Sequence, residues 1–287
     1  MIERSHARTA ELPLRARNGD NRRYSVQLFQ IDAFTDAPFG GNPAAVCLLD
    51  GFEATDAWMQ NVAAEMNLSE TAFLRRNDGD WSLRWFTPTI EVALCGHATL
   101  ASAHALLEEG LLRRGDTARF HTNSGVLSAT STGDFIEMNF PAKAAAPSAP
   151  AEGLIEALGM HPLHVGRNEF DYLVELASED DVRSIRPDHT MLRRIPVRGV
   201  IVTSRASTPR FDFVSRFFAP GSGIDEDPVT GSAHCALGPY WAPRLGKQQL
   251  IGYQASPRGG VVRVTMTGDR VLLAGRAVTV FRGELRV

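Results

Sequence analysis

The sequence predicts an α+β fold of two pseudo-symmetric halves, each a curved β-sheet or barrel wrapped around a central helix. Three observations predict it: an internal repeat, a matched pair of small-residue helices, and strand-like alternation around both. The repeat emerges when the chain is slid on itself. Residues 125–134 lie on residues 260–269 at an offset of 135, with six of ten positions identical. The same offset sets Gly96 on Gly231, Ala98 on Ala233 and Glu91 on Glu226. Arg84-Trp-Phe-Thr-Pro88 aligns with Arg216-Phe-Phe-Ala-Pro220 at an offset of 132, so the second copy carries three extra residues between Pro220 and Glu226. A period this long marks two related half-domains rather than a solenoid.

Each copy has one order of elements. In the first, residues 26–34 alternate as a half-buried strand, and Phe39-Gly-Gly-Asn-Pro43 reads as a turn. Met59, Val62, Ala63 and Met66 mark one helix face at i, i+3, i+4 and i+7. Residues 71–74 and 82–86 read as strands, 97–109 as a helix, and three more strands follow to residue 140. Residues 141–150, rich in Ala and Pro, read as a connector. His97-Ala-Thr-Leu-Ala-Ser-Ala-His104 and Ser232-Ala-His-Cys-Ala-Leu237 are small or apolar all round, which predicts helices buried on every side. Pro239 is expected to end or kink the second. The half-domains are read as 24–145 and 146–287, with the last strand returning to the first half.

Bulk properties narrow the function. The 287 residues suffice for two modest domains. A formal net charge of −3 provides no basic footprint for nucleic acid and no polybasic membrane patch. No apolar run approaches the ~20 residues that span a bilayer. Cys47, Cys95 and Cys235 form no CxxC pair and read as free thiols of a reducing, cytoplasmic compartment. Residues 1–23 hold six arginines and three acids without the apolar core of a secretory signal. They read as a disordered extension and are set aside.

Both small-residue helices begin with Gly and a polar residue, Gly96-His97 and Gly231-Ser232. Alone, either is an ordinary helix start. As a pair related by duplication they would face one another across the cleft between the halves. Their free N–H groups would then hold a carboxylate from two sides. The run Asp225-Glu-Asp227 reads as a solvated loop, or as acids paired or used beside the helix start. Glu70 opens an apolar strand. An exposed strand-end glutamate fits that pattern more often, but a carboxyl desolvated by neighbours such as Phe73 would suit proton transfer. His97 and His104 join no HExxH pattern, and no metal is expected. No dinucleotide fingerprint, Walker sequence or GxSxG elbow exists, so no cofactor is expected.

Taken in order, several motifs resemble the PhzF-like family of phenazine biosynthesis. They are Asp32-Ala-Phe-Thr35, Gly41-Asn-Pro-Ala-Ala-Val46, Asn67-Leu-Ser-Glu-Thr-Ala-Phe73, Arg84-Trp-Phe-Thr-Pro88, Leu94-Cys-Gly-His-Ala-Thr99 and Asp227-Pro-Val-Thr-Gly-Ser-Ala-His234. The resemblance runs from about residue 24 to the C-terminus. It implies the diaminopimelate epimerase-like fold. It also implies a catalytic acid/base at Glu70, polar partners at His97, Asp227 and Ser232, and substrate-binding positions at Asn42, Gly96 and Gly231.

The family prototype isomerises trans-2,3-dihydro-3-hydroxyanthranilate by moving a proton, without a cofactor. The expectation is therefore a cofactor-independent, biosynthetic isomerase of a small carboxylate, homodimeric by family analogy. Epimerases of the wider superfamily use a cysteine before each helix-start glycine. Here Cys95 precedes Gly96 but Thr230 precedes Gly231, which disfavours a two-thiol racemase. A non-catalytic binding protein on the same scaffold, and an epimerase using Glu70 with another partner, are the competing readings.

Overall fold

The computed structural model describes residues 25–286; the extension expected over 1–23 lies outside them. In the first half, β1 (Ser25–Ala33) pairs antiparallel with β2 (Asn42–Leu48). Helix α1 (Asp56–Met66) then crosses over to β3 (Glu70–Asn77), parallel to β2. Next come β4 (Asp80–Phe86), the short β5 (Glu91–Val92) and α2 (Gly96–Glu108). The meander β6 (Thr117–Thr122), β7 (Gly125–Thr132) and β8 (Phe135–Pro141) completes the copy.

The second half follows β9 (Ala146–Pro147) with α3 (Leu154–Leu158), β10 (His164–Arg167) and β11 (Asp171–Glu175). Two short helices, α4 (Glu179–Ser184) and α5 (His189–Leu192), lead to β12 (Gly199–Arg205), β13 (Phe213–Ala219) and β14 (Ile224–Asp227). Then come α6 (Gly231–Leu245), β15 (Gln249–Gln254), β16 (Gly260–Thr267), β17 (Arg270–Gly275) and β18 (Ala277–Arg286).

The duplication is explicit in the pairings. From β1 to β8, neighbours run antiparallel, parallel, antiparallel, parallel, antiparallel, antiparallel, with β4 parallel to β6. From β10 to β17 the series is the same, with β13 parallel to β15. The copies join edge to edge through β8 and β17. The strand that follows each copy closes the other: β18 pairs with β1, and β9 with β10.

Each sheet has two apolar faces, because side chains alternate along a strand. The inner faces wrap α2 and α6 in one shared core that includes Phe29, Leu100, Phe213 and Leu237. The outer faces carry the crossover helices, α1 over β3 and α3–α5 over β12 and β13. Thr55 caps α1 by accepting the Trp58 N–H, and Asn67 ends it at φ 49°.

Two expectations need correction. Pro239 does not end α6, the first of the two outcomes expected for it; the helix continues to Leu245. A proline at 239 leaves the carbonyl of Cys235 without its helical donor, and the N–H of Lys143 takes that carbonyl at 2.9 Å. The stretch 141–150 is also more than a connector, since it contains β9, which pairs with the second half.

Candidate active site

The two central helices start against one another. A methyl group placed on Gly96 would lie 3.9 Å from the Cα of Gly231, and one on Gly231 the same distance from Gly96. Neither N-cap residue, Cys95 or Thr230, caps its helix with a side-chain hydrogen bond. Two uncapped N-termini with glycine at the first position therefore converge on one place, with backbone donors and two positive dipole ends.

Glu70 reaches this junction from the first residue of β3. It shares a strand face with Ala72 and Leu74, which pack into the core around α2. Phe73 points the other way, against Met59 and Ala63 of α1. The expected shielding by Phe73 is thus corrected: the period-2 alternation of β3 puts it on the opposite face.

The Glu70 side chain is 14% exposed and its Oε2 lies 3.3 Å from Nε2 of His97. The contact is off the line of a good hydrogen bond, and both atoms are buried with no partner. His97 turns its other nitrogen, Nδ1, to the Cys95 thiol at 3.5 Å. Burial holds His97 near 4, so it is neutral at physiological pH. Burial, and then the Asp227 charge, lift the Glu70 carboxyl from 4.5 to about 7, against a lowering hydrogen bond from Cys95. A neutral imidazole can donate from one nitrogen and accept at the other. It can therefore meet Glu70 as a donor or as an acceptor, according to the carboxyl's protonation state.

Asp227 comes from the end of β14 in the other half. Its Oδ1 accepts from Asn42 Nδ2 at 2.8 Å, and the Thr230 hydroxyl donates to its Oδ2. Burial raises Asp227 to about 6, and these two bonds oppose the rise. Asn42 is fully buried and also donates to the Val229 carbonyl at 2.9 Å. Gln254 completes the frame: its Oε1 accepts the Thr230 N–H at 2.8 Å, and its Nε2 donates to the Asp227 carbonyl at 2.7 Å. Ser232, half-buried on α6, occupies the position that His97 has on α2.

The acidic run divides by role. Asp225 is exposed, 3.6 Å from Arg193. Glu226 makes a two-pronged pair with Arg216, both contacts 2.7 Å. Glu91 and Arg84 form the same pair in the first copy, again at 2.7 Å. The three inserted residues fall in the turn Pro220–Ser222 and Gly223 (φ 87°), which lies between Arg216 and Glu226 without disturbing their pairing.

Glu70, Cys95 and His97 are the one group of potential metal ligands within 4.8 Å of each other among the described residues. The imidazole turns a different nitrogen to the thiol and to the carboxyl, at 3.5 and 3.3 Å. Burial and the nearby Glu70 charge raise the Cys95 thiol well above its usual value, so it stays protonated. Sequence reading missed Thr230 and Gln254 as the frame of Asp227. It also missed the buried Asp32, which Arg258 holds at 2.7 Å. No local spacing signals partners 226 residues apart.

A hydroxyproline epimerase from Agrobacterium vitis superposes with a TM-score of 0.58 at 11% identity, covering 93% of this chain and 94% of that one, which shows the shared fold. A PhzF family structure from Enterococcus faecalis reaches a TM-score of 0.88 at 38% identity, covering 92% of this chain and all of that one. An uncharacterized isomerase of Halalkalibacterium halodurans is 51% identical over 263 residues, 91% of this chain and 98% of that protein. Fold and relatives define an isomerase on the epimerase scaffold. The family model for phenazine biosynthesis-like proteins matches residues 31–283. The chain belongs to that family. Among the described residues no helix is long and apolar enough to cross a membrane.

Proposed function

We propose that this isomerase moves a proton between carbons of a small carboxylate-bearing metabolite, without a cofactor, using Glu70 as acid and base. The observation that carries the reading is the Glu70 carboxyl at about 7, beside a neutral His97, where two uncapped helix starts meet. A carboxyl at that value is a competent base in one step and acid in the next near neutral pH. The substrate carboxylate takes the N–H groups after Gly96 and Gly231. Its carbon acid lies against Glu70. Asp227, held by Asn42 and Thr230, faces Glu70 and supports the return of the proton. Ser232 orients the substrate from the second half, as His97 does from the first.

The two-thiol racemase loses further support from Thr230, which stands where the second thiol would be and whose hydroxyl is committed to Asp227. The family resemblance supports a homodimer, and the three free, buried cysteines support a cytoplasmic setting. Sedimentation velocity tests the first. The function is tested by incubating cyclic and unsaturated amino or hydroxy acids with the protein in D₂O and following C–H exchange by NMR. Exchange with wild type and none with Glu70→Gln is expected. Exchange undiminished in Glu70→Gln would remove Glu70 from the mechanism. Saturable binding of these acids without any exchange would favour a binding protein.

A further inference from the structure

A cavity of about 550 Å³ opens between the loop that follows β1, the β15–β16 connection and the β17–β18 junction. None of Glu70, Cys95, His97, Asp227 or Ser232 lines it. Its charge is unbalanced: four arginines and a single acid, Asp36, line it in a chain of net charge −3.

The arginines are not alike. Arg258 is committed to the fold, donating to Asp32 and to the carbonyls of Gly40 and Gly41. Arg276 reaches Asp36 at 3.1 Å and Asp134 at 3.7 Å, yet its Nε is buried with no partner. Arg210 and Arg263 make no ion pair among the described residues. The Arg263 guanidinium lies 3.8 Å from the centroid of Phe135, and that of Arg276 lies 4.8 Å from the same ring. Two like charges thus share one aromatic ring, and only one has acidic partners. An anion bound beside them relieves the repulsion and takes the donors of the unpaired Arg263.

The rest of the wall includes several aromatic rings. Phe211 stacks on Tyr253, with ring centroids 4.8 Å apart and planes 15° from parallel. At the rim Phe39 is 75% exposed and sits at φ 70°, a backbone conformation that bulky residues avoid. Its N–H is fixed by the buried Asp32 at 2.7 Å, and Arg258 holds the carbonyl of Gly40 beside it at 2.8 Å. A strained, solvent-facing phenylalanine anchored by the buried Asp32 and its Arg258 partner is a feature that folding alone does not require.

We propose that this cavity is a second binding site, separate from Glu70, for a small planar organic anion such as an aromatic or conjugated carboxylate. Arg263 and Arg276, which share Phe135, take the carboxylate, the unpaired Arg210 adds its charge at the same cavity, and Phe39 and Phe211 flank the ring. The volume lies in the range of small-molecule sites.

Calorimetric titration with 2-naphthoate tests the site, with its neutral analogue 2-naphthalenemethanol as control. The comparison covers wild type, Glu70→Gln, Arg263→Gln and Arg210→Gln. Both arginines are exposed, so either variant gives a reading if the other fails to fold, and a circular-dichroism melt checks each. Expected is saturable naphthoate binding in wild type, unchanged in Glu70→Gln and weakened at least tenfold in Arg263→Gln, with no binding of the alcohol. Naphthoate binding lost in Glu70→Gln but intact in both arginine variants would assign it to the Glu70 site and overturn the proposal. So would equal affinity for inorganic phosphate, or no saturation at millimolar naphthoate.

Discussion

Replacing Glu70 with Gln should stabilise the protein, but only where the native carboxyl is forced to ionise. Burial and Asp227 raise that carboxyl from 4.5 to about 7. At roughly 1.4 kcal/mol per pH unit, ionising it costs the folded state about 3 kcal/mol more than the unfolded chain. The sign follows from proton counting. Between pH 4.5 and 7 the folded form holds a proton that the unfolded form has lost, so stability falls through that window and levels off above 7. Glu70→Gln has no proton to lose. Its stability relative to wild type should rise by about 2–3 kcal/mol between pH 4 and pH 8.5; relaxation around the charge accounts for the lower end. Asp227 titrates in both proteins, and because its charge is part of what raises Glu70, the difference reads Glu70 together with its coupling to Asp227. Urea unfolding at four pH values measures it, provided the denaturant slope is shared. A difference flat to within about 0.5 kcal/mol across that range would refute the buried, raised carboxyl. Turnover should fall by ~10²–10⁴ in the same variant.

With Glu70 acting first as a base, kcat/KM should rise with pH through about 7; a profile with its midpoint near 4.5 would mean an ordinary solvated carboxylate. Gly96→Ala puts a methyl at ordinary contact distance, 3.9 Å from Gly231. Thermal melts should place its stability within about 1 kcal/mol of wild type, while KM for the carboxylate substrate rises because the anion site is narrowed. Arg258→Met strands Asp32, which is 1% exposed. Urea unfolding should register a loss of about 3–5 kcal/mol. Cys95 should resist iodoacetamide at pH 8 in the native protein and react once unfolded, because its thiol is held well above the usual value; peptide mass spectrometry reads the difference.

The duplication made the fold legible. Two copies of a pattern in one register fix the element order twice, and the small-residue helices announce their burial by composition. Gly96 and Gly231, matched at one offset, indicated that two helix starts would face each other, as they do. The Arg84 and Glu91 matches were visible as repeats, but only the structure shows that the repeated object is an ion pair. What stayed hidden depends on three dimensions. The alternation that exposes Glu70 to the junction also turns Phe73 away from it, and adjacency in sequence conceals this. Pro239 looked like a helix end because the donor that rescues its freed carbonyl, Lys143, lies almost a hundred residues earlier. Asp32 with Arg258, and Asp227 with Asn42, join strand ends and a loop far apart in the chain, whose spacing has no pattern of its own.

The closing strands carry a consequence for how the molecule is made. Ser25 lies opposite Arg286, so the outer edge of β1 finds its partner only in the final strand. Until β17 and β18 are synthesised, the N-terminal copy emerges from the ribosome as an open sheet with both rims, β8 and β1, unpaired. Such rims recruit other chains, and contacts so far apart in sequence form late. The two-residue β9 leaves a much smaller gap in the C-terminal copy. Chaperone dependence should therefore concentrate on one half of the nascent chain. A truncation before Ala277 should fail by aggregating through β1 rather than by yielding a stable half-molecule.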